Sequence, residues 1–381
     1  MTENYRNEGT LLIRNSDIKE GRFEFAQNPI YLDEPFAEAN NTRRLQRGDV
    51  VTVHTGDIGT SAVIGDREHG AIGFATINTR PFANILESHF LSTFLNTETH
   101  KNWAVKMSTG DGRSNYNLKD FNTLQVPVIQ FDEQLKIGTF FRTLDTLIAN
   151  QKRKLDGMKQ LKKAYLQQMF PQAGETTPKV RFSGFDGEWT TVKLGDVVEK
   201  LKSYSLSRDV ETKDMTGYRY IHYGDIHKQV ADIISSDEQL PRIKIGDYIP
   251  LQQYDLVLAD ASEDYVGIAE PCIILHDPKE RLVAGLHTIA IRPIGTDSLF
   301  LYHLFHTDGF RKFGGFVGTG LKVFGITFTN LSKYEMGLPS LEEQTAIGEF
   351  FHKLDTQIIT HEQKIEQAKQ LKAAYLQKMF V

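Results

Sequence analysis

The strongest constraint on this chain is a long internal repeat. Residues 133–170, EQLKIGTFFRTLDTLIANQKRKLDGMKQLKKAYLQQMF, align without a gap on residues 343–380, EQTAIGEFFHKLDTQIITHEQKIEQAKQLKAAYLQKMF. The offset is 210 and 21 of 38 positions are identical. Self-similarity of this strength means that one structural unit is built twice. In the first copy Ile137, Phe141, Leu144, Ile148 and Leu155 follow the alternating four and three spacing that keeps one helical seam toward a partner. In the second, Ile347, Phe351, Leu354, Ile358 and Ile365 repeat it. Each copy is therefore expected to be one proline-free helix running ~55 Å, at a rise of ~1.5 Å per residue. Gly157 is a mild weak point in the first. The outer faces are strongly charged, which suits a coiled coil better than core helices of one globular domain. Near the middle of each seam stands a polar residue, Gln151 and His361. Polar groups at such positions fix register at a cost in stability, and the two are expected to meet where the helices cross.

Weaker repetition precedes each helix. Leu12–Ile18 matches Tyr220–Ile226 at an offset of 208, LQRGDVVTVHTGDIGTSAVI (45–64) resembles LQQYDLVLADASEDYVGIAEPCII (251–274), and each copy then reaches a Thr-Gly loop at Thr109-Gly110 or Thr319-Gly320. Leu124-Gln125-Val126-Pro127 and Met336-Gly337-Leu338-Pro339 come just before the helices. The order is domain, helix, domain, helix: a first domain over 1–130, a helix over 131–170, a Pro/Gly/Thr-rich linker over 171–187, a second domain over 188–340 and a second helix over 341–381. Runs such as GDVVTVHT, YDLVLAD and LHTIAIRPI read as strands, and SHFLSTFLNTE and SLFLYHLFHTDGFRKF as amphipathic helices. The predicted fold class is α+β: two mixed α/β domains separated by two long antiparallel coiled-coil helices, a dumbbell with a pseudo-twofold axis. Such an object suits a long partner with its own twofold, and duplex DNA repeats its major-groove face every ~34 Å.

Composition narrows the function. Net charge is −5, so any nucleic-acid binding must rest on local basic surfaces or on other subunits rather than on bulk positive charge. The N-terminus lacks an apolar signal core and no apolar run approaches the ~18 residues of a membrane span, so a cytoplasmic location is expected. Cys272, the single cysteine, reads as a buried strand thiol. No G-x-x-x-x-G-K-[ST] loop, no Asn- or Asp-Pro-Pro-aromatic tetrapeptide, no glycine-rich turn suited to S-adenosylmethionine and no zinc-ligand spacing occurs. The carboxylates Asp260, Glu263 and Asp264 read as a solvated loop rather than a nuclease centre. Gly-rich GGFVGTGLKVFG (314–325) reads as a flexible loop holding Lys322 near a DNA backbone.

Pro127, Asp132-Glu133-Gln134, the Phe140-Phe141 pair, Leu144-Asp145 and the closing LKKAYLQQMF run resemble the conserved regions of type I restriction-modification specificity subunits. So do LPSLEEQTAIGEFFHKLDTQI, LKAAYLQKMF and VRFSGFDGEWTTVKLGDVV (180–198) in the second copy. The resemblance implies a non-catalytic subunit that binds a split DNA sequence, one half per target-recognition domain. Its helices would separate the half-sites and dock two modification subunits, adenine-N6 methyltransferases, with restriction subunits added. S-adenosylmethionine, ATP and magnesium would then belong to those partners, and none to this chain. It also implies a shortened first domain: Trp189 precedes Asp225 by 36 residues, but the matching Asp17 lies only 16 from Met1. A coiled-coil scaffold that docks only protein is the alternative.

Base readout needs side chains capable of paired hydrogen bonds on loops that reach a groove. In the first domain Arg14, Asn15, Arg43, Arg44, Arg113 and Asn115 are the candidates; in the second, Tyr218, Arg219, His222, Tyr223, Lys228, Arg242 and Lys322.

Overall fold

The computed structural model describes residues 2–108, 115–172, 174–264, 267–320 and 324–380, and divides the chain into two compact units. Unit 1 is residues 1–154 with 361–381; unit 2 is residues 155–360. Arg113, Lys322 and parts of the Thr-Gly loops lie outside the described residues.

In unit 1, strands β1 (Thr10–Arg14), β2 (Val50–Val53), β3 (Ser61–Val63), β4 (Ile72–Phe74) and β5 (Thr76–Thr79) form the scaffold. β1 runs parallel to β4, and β2 lies antiparallel between β3 and β5. Ile13, Val51, Val53, Ala62 and Ile64 close its core. The amphipathic segment SHFLSTFLNTE forms α1 (Ser88–Leu95), which stops short of its end and gives way to α2 (Glu98–Met107). The reason is Thr97, whose hydroxyl accepts from His100 N and so caps a new helix start.

Unit 2 repeats this plan. Strands β6 (Tyr218–Ile221), β7 (Leu256–Ala259), β8 (Pro271–Ile274), β9 (Arg281–Ala284) and β10 (Thr288–Pro293) pair as their counterparts do: β6 parallel to β9, and β7 antiparallel between β8 and β10. Cys272 is fully buried on β8. Thr307 again splits the helical segment into α4 (Ser298–Leu304) and α5 (Asp308–Val317). The glycine-rich run therefore begins inside a helix, with Gly314 buried on α5 beside Ile268. Thr190–Lys193 pairs antiparallel with Glu335–Leu338, bringing Trp189 against Phe170 and Phe300.

The long helices are α3 (Phe131–Gln168) and α6 (Leu341–Met379). Within unit 1 the N-terminal half of α3 packs antiparallel on the C-terminal half of α6. The Phe140 and Tyr375 rings are 5.2 Å apart and Lys372 Nζ lies 2.7 Å from Asp145 Oδ1. Unit 2 holds the same contacts with the roles exchanged: Tyr165 with Phe350 at 5.3 Å, and Lys162 with Asp355 at 2.5 Å. Phe141, Leu144, Leu155, Ile347, Phe351, Leu354, Ile358 and Ile365 are buried, while Ile137, Ile148, Gln151 and His361 are half-buried.

Each long helix is clamped to its unit by one glutamine. The Gln134 amide accepts from Glu87 N at 2.9 Å and donates to the carbonyls of Ile85 and Ile129. Gln344 does the same with Asp297 N and the Pro339 carbonyl. Glu87 and Asp297 are themselves the N-caps of α1 and α4. The glutamine at the head of each repeat thus binds a long helix to the cap of a short one.

Candidate nucleic-acid interface

Most of the arginines picked out by sequence already have carboxylate partners. Arg14 forms a forked pair with Asp17 at 2.9 and 3.0 Å, and that hydrogen bonding raises its pKa. Arg44 reaches Glu34, Glu38 and the Thr10 hydroxyl. Arg219 is buried and binds Glu280 together with the carbonyls of Glu238 and Leu240. Arg242 shares Glu280, which raises its pKa in turn. Arg14, Arg44, Arg219 and Arg242 are therefore parts of the folded framework. A guanidinium so held costs a bound carboxylate its partner before it can turn to a base or phosphate.

Arg43 and Lys228 remain exposed and outside any ion pair among the described residues. Tyr218 is buried, with its hydroxyl accepting from Arg281 Nη1 at 2.5 Å. His222 caps the short helix Tyr223–His227 by accepting from Gly224 N at 3.0 Å, and burial holds its pKa down.

A different set of side chains gathers where β2 and β7 end. In unit 1 the His54 amide donates to Asn15 Oδ1 at 3.3 Å, His54 Nδ1 meets the Thr55 hydroxyl at 2.8 Å, and that hydroxyl donates to Asn115 Oδ1 at 2.8 Å. In unit 2 His287 Nδ1 lies 3.1 Å from Asp260 Oδ1, and the Tyr223 ring stands 4.5, 5.8 and 5.3 Å from those of His222, His227 and His287. Asn15, Asn115, His222 and Tyr223 were legible as polar loop residues. Asp260 reads in sequence as one carboxylate of a solvated loop, whereas it is half-buried beside His287; His54, Thr55, His227 and His287 were not legible, since only the strand register brings them together. Among the described residues no group of three His, Cys, Asp or Glu is arranged to hold a metal, and no helix is long and apolar enough to cross a membrane.

Residues 4–160 and 186–370 match the family model described as the type I restriction modification DNA specificity domain. The type I restriction enzyme MjaVIII specificity subunit of Methanocaldococcus jannaschii is 21% identical over 293 residues, covering 74% of this chain and 67% of that protein. The crystal structure of a type I restriction-modification S subunit from M. genitalium superposes with a TM-score of 0.63 at 11% identity, covering 100% of this chain and 91% of the other. A chain from a study of complex assembly and conformational transition of the type I R-M system gives a TM-score of 0.51 at 18% identity, covering 100% and 93%. The two structural likenesses carry the fold, and the family model covers most of both halves. The chain belongs to the type I restriction-modification specificity subunits, the non-catalytic DNA-recognition subunits of those systems.

Proposed function

We propose that the chain reads a bipartite DNA sequence, one half by residues 1–130 and the other by residues 188–340, and that the long helices keep the half-sites apart. On this reading two adenine-N6 methyltransferase subunits and the restriction subunits dock on the repeated parts of the chain. They bring S-adenosylmethionine, ATP and magnesium with them, and the complex works in the cytoplasm. The observation that carries the proposal is the duplication itself. One family domain matches twice, and the two matched segments share strand pairing, capped short helices and glutamine clamps.

The acidic net charge and the carboxylate-bound arginines favour a second reading, a scaffold that docks only protein. One experiment separates the two. The chain is co-expressed with its genomic neighbours and N6-methyladenine is mapped across the host genome. A split motif, one half of which follows each recognition domain when the domains are exchanged, is expected. A stable complex without methylation would favour the scaffold.

A further inference from the structure

The two units hold one scaffold and place different side chains on it. The β2 end in unit 1 and the β7 end in unit 2 are built alike. The His54 carbonyl accepts from Tyr116 N at 2.9 Å, and the Asp260 carbonyl accepts from Ile326 N at 2.8 Å. The next residue bridges a returning segment in both, Thr55 with Asn115 and Ala261 with Gly325. The residue before the neighbouring strand is left-handed in both, Ala75 at φ 57° and His287 at φ 54°. A side chain in that region is strained unless its surroundings require it. Backbone hydrogen bonds and an unusual dihedral are thus preserved where the side chains are not.

What differs is the hydrogen-bonding inventory. Unit 1 presents two amides, a hydroxyl and an imidazole: Asn15, Asn115, Thr55 and His54. Because the Thr55 hydroxyl donates to Asn115, it accepts from His54 Nδ1–H, which leaves Nε2 as the acceptor of that ring. Unit 2 presents a carboxylate, a phenol and imidazoles: Asp260, Tyr223, His227 and His287. His287 is 49% and Asp260 31% exposed, so both are open to a ligand while remaining positioned by each other. Neither set contains a lysine or arginine. The groups these sets do hold can tell base edges apart, a carboxylate accepting from the exocyclic amine of cytosine and an amide pairing with adenine.

We propose that these two loop clusters are the base-reading sites of the two recognition domains, and that their unlike side chains give the two halves of the target their unlike sequences. The inference rests on the DNA-recognition reading above.

The test uses the full chain in complex with its co-expressed methyltransferase subunits, with the methylated motif and the salt dependence of DNA binding as readouts. His54→Ala is expected to relax one or two positions of one half-site, with discrimination there falling about 10-fold or more. Asp260→Asn is expected to change the other half-site alone. Tyr223→Phe, which removes one hydroxyl and keeps the ring, guards against a folding artefact. The salt slope should stay at the wild-type value, because no phosphate contact is lost. Wild-type motifs in all three variants, or both halves changing together in one variant, would overturn the proposal while leaving DNA recognition intact. A wild-type complex that assembles and yields no split motif would overturn the parent reading and this one with it.

Discussion

His361 Nδ1 and Gln151 Oε1 stand 2.7 Å apart, and they are the same position of the repeat met twice. A residue that touches its own repeat counterpart lies where the two copies cross. The half-buried pair interrupts an otherwise apolar seam. Gln151→Leu alone takes the acceptor away from the imidazole N–H and should lower stability by about 1 kcal/mol. Replacing both residues by leucine removes donor and acceptor together; it should raise Tm while loosening helix register. Thermal melts of wild type, both single variants and the double variant close the cycle. A double variant that melts below wild type would contradict this account.

The ion pairs Asp145–Lys372 and Asp355–Lys162 are also repeat equivalents, yet they are not equally exposed. Asp355 is 9% exposed against 19% for Asp145, and burial raises the pKa of both carboxyls. An uncompensated buried charge is worse than no charge, so Lys162→Met should cost about 3 kcal/mol and Lys372→Met appreciably less. Urea unfolding of the two variants measures the difference directly.

The long helices were legible because their signal is a sum over 38 positions, and the seam residues the spacing selects are buried or half-buried. The splitting of the SLFLYHLFHTDGFRKF segment at Thr307 was not, since a threonine N-cap inside an amphipathic run carries the same apolar periodicity on either side. The cationic candidates met a physical limit. An arginine in sequence does not reveal its carboxylate partner, and Arg219 finds Glu280 across 61 residues. His54 gave no local signal and Asp260 only that of a solvated loop, because strand register between distant segments is what places them.

Acid should weaken this protein before its carboxylates titrate in the unfolded chain. His100 is buried on α2, with Nδ1 donating to the Leu95 carbonyl at 2.6 Å and Nε2 accepting from the Tyr116 hydroxyl at 3.2 Å. Burial pushes its pKa down to about 4. His303 and His306 in unit 2 are held well below the usual histidine range, again by burial. Between pH 6.5 and about 4 the unfolded chain takes up protons that the folded chain refuses, so stability is full above pH 6.5 and falls as pH drops. The raised pKa of buried Asp232, Glu270 and Asp355 works in the opposite sense, adding stability as they protonate in the fold. Melting temperature should decline from pH 7 toward pH 5. His100→Phe should flatten that decline by up to one proton, about 1.4 kcal/mol per pH unit. An unchanged slope would remove His100 from the explanation.

Three helix glycines should respond to alanine in opposite directions. A Cβ on Gly138 would sit 2.4 Å from Glu87 Oε2 and 2.8 Å from Phe90 N; one on Gly348 would sit 2.7 Å from Asp297 Oδ1 and 2.9 Å from Phe300 N. Both glycines let a long helix touch the capped start of a short one, next to the glutamine clamps. A Cβ on Gly157 would meet nothing within 4 Å. Alanine gains about 1 kcal/mol over glycine through helix propensity alone. At Gly157 that gain stands unopposed, and Gly157→Ala should stabilise by about that amount. At Gly138 and Gly348 the helices must part or the cap must break. Losing an N-cap costs about 1 kcal/mol and overpacking typically about 1–3 kcal/mol, so the propensity gain is outweighed and both variants should be destabilised. Denaturant titration of the three variants side by side tests the sign at each position.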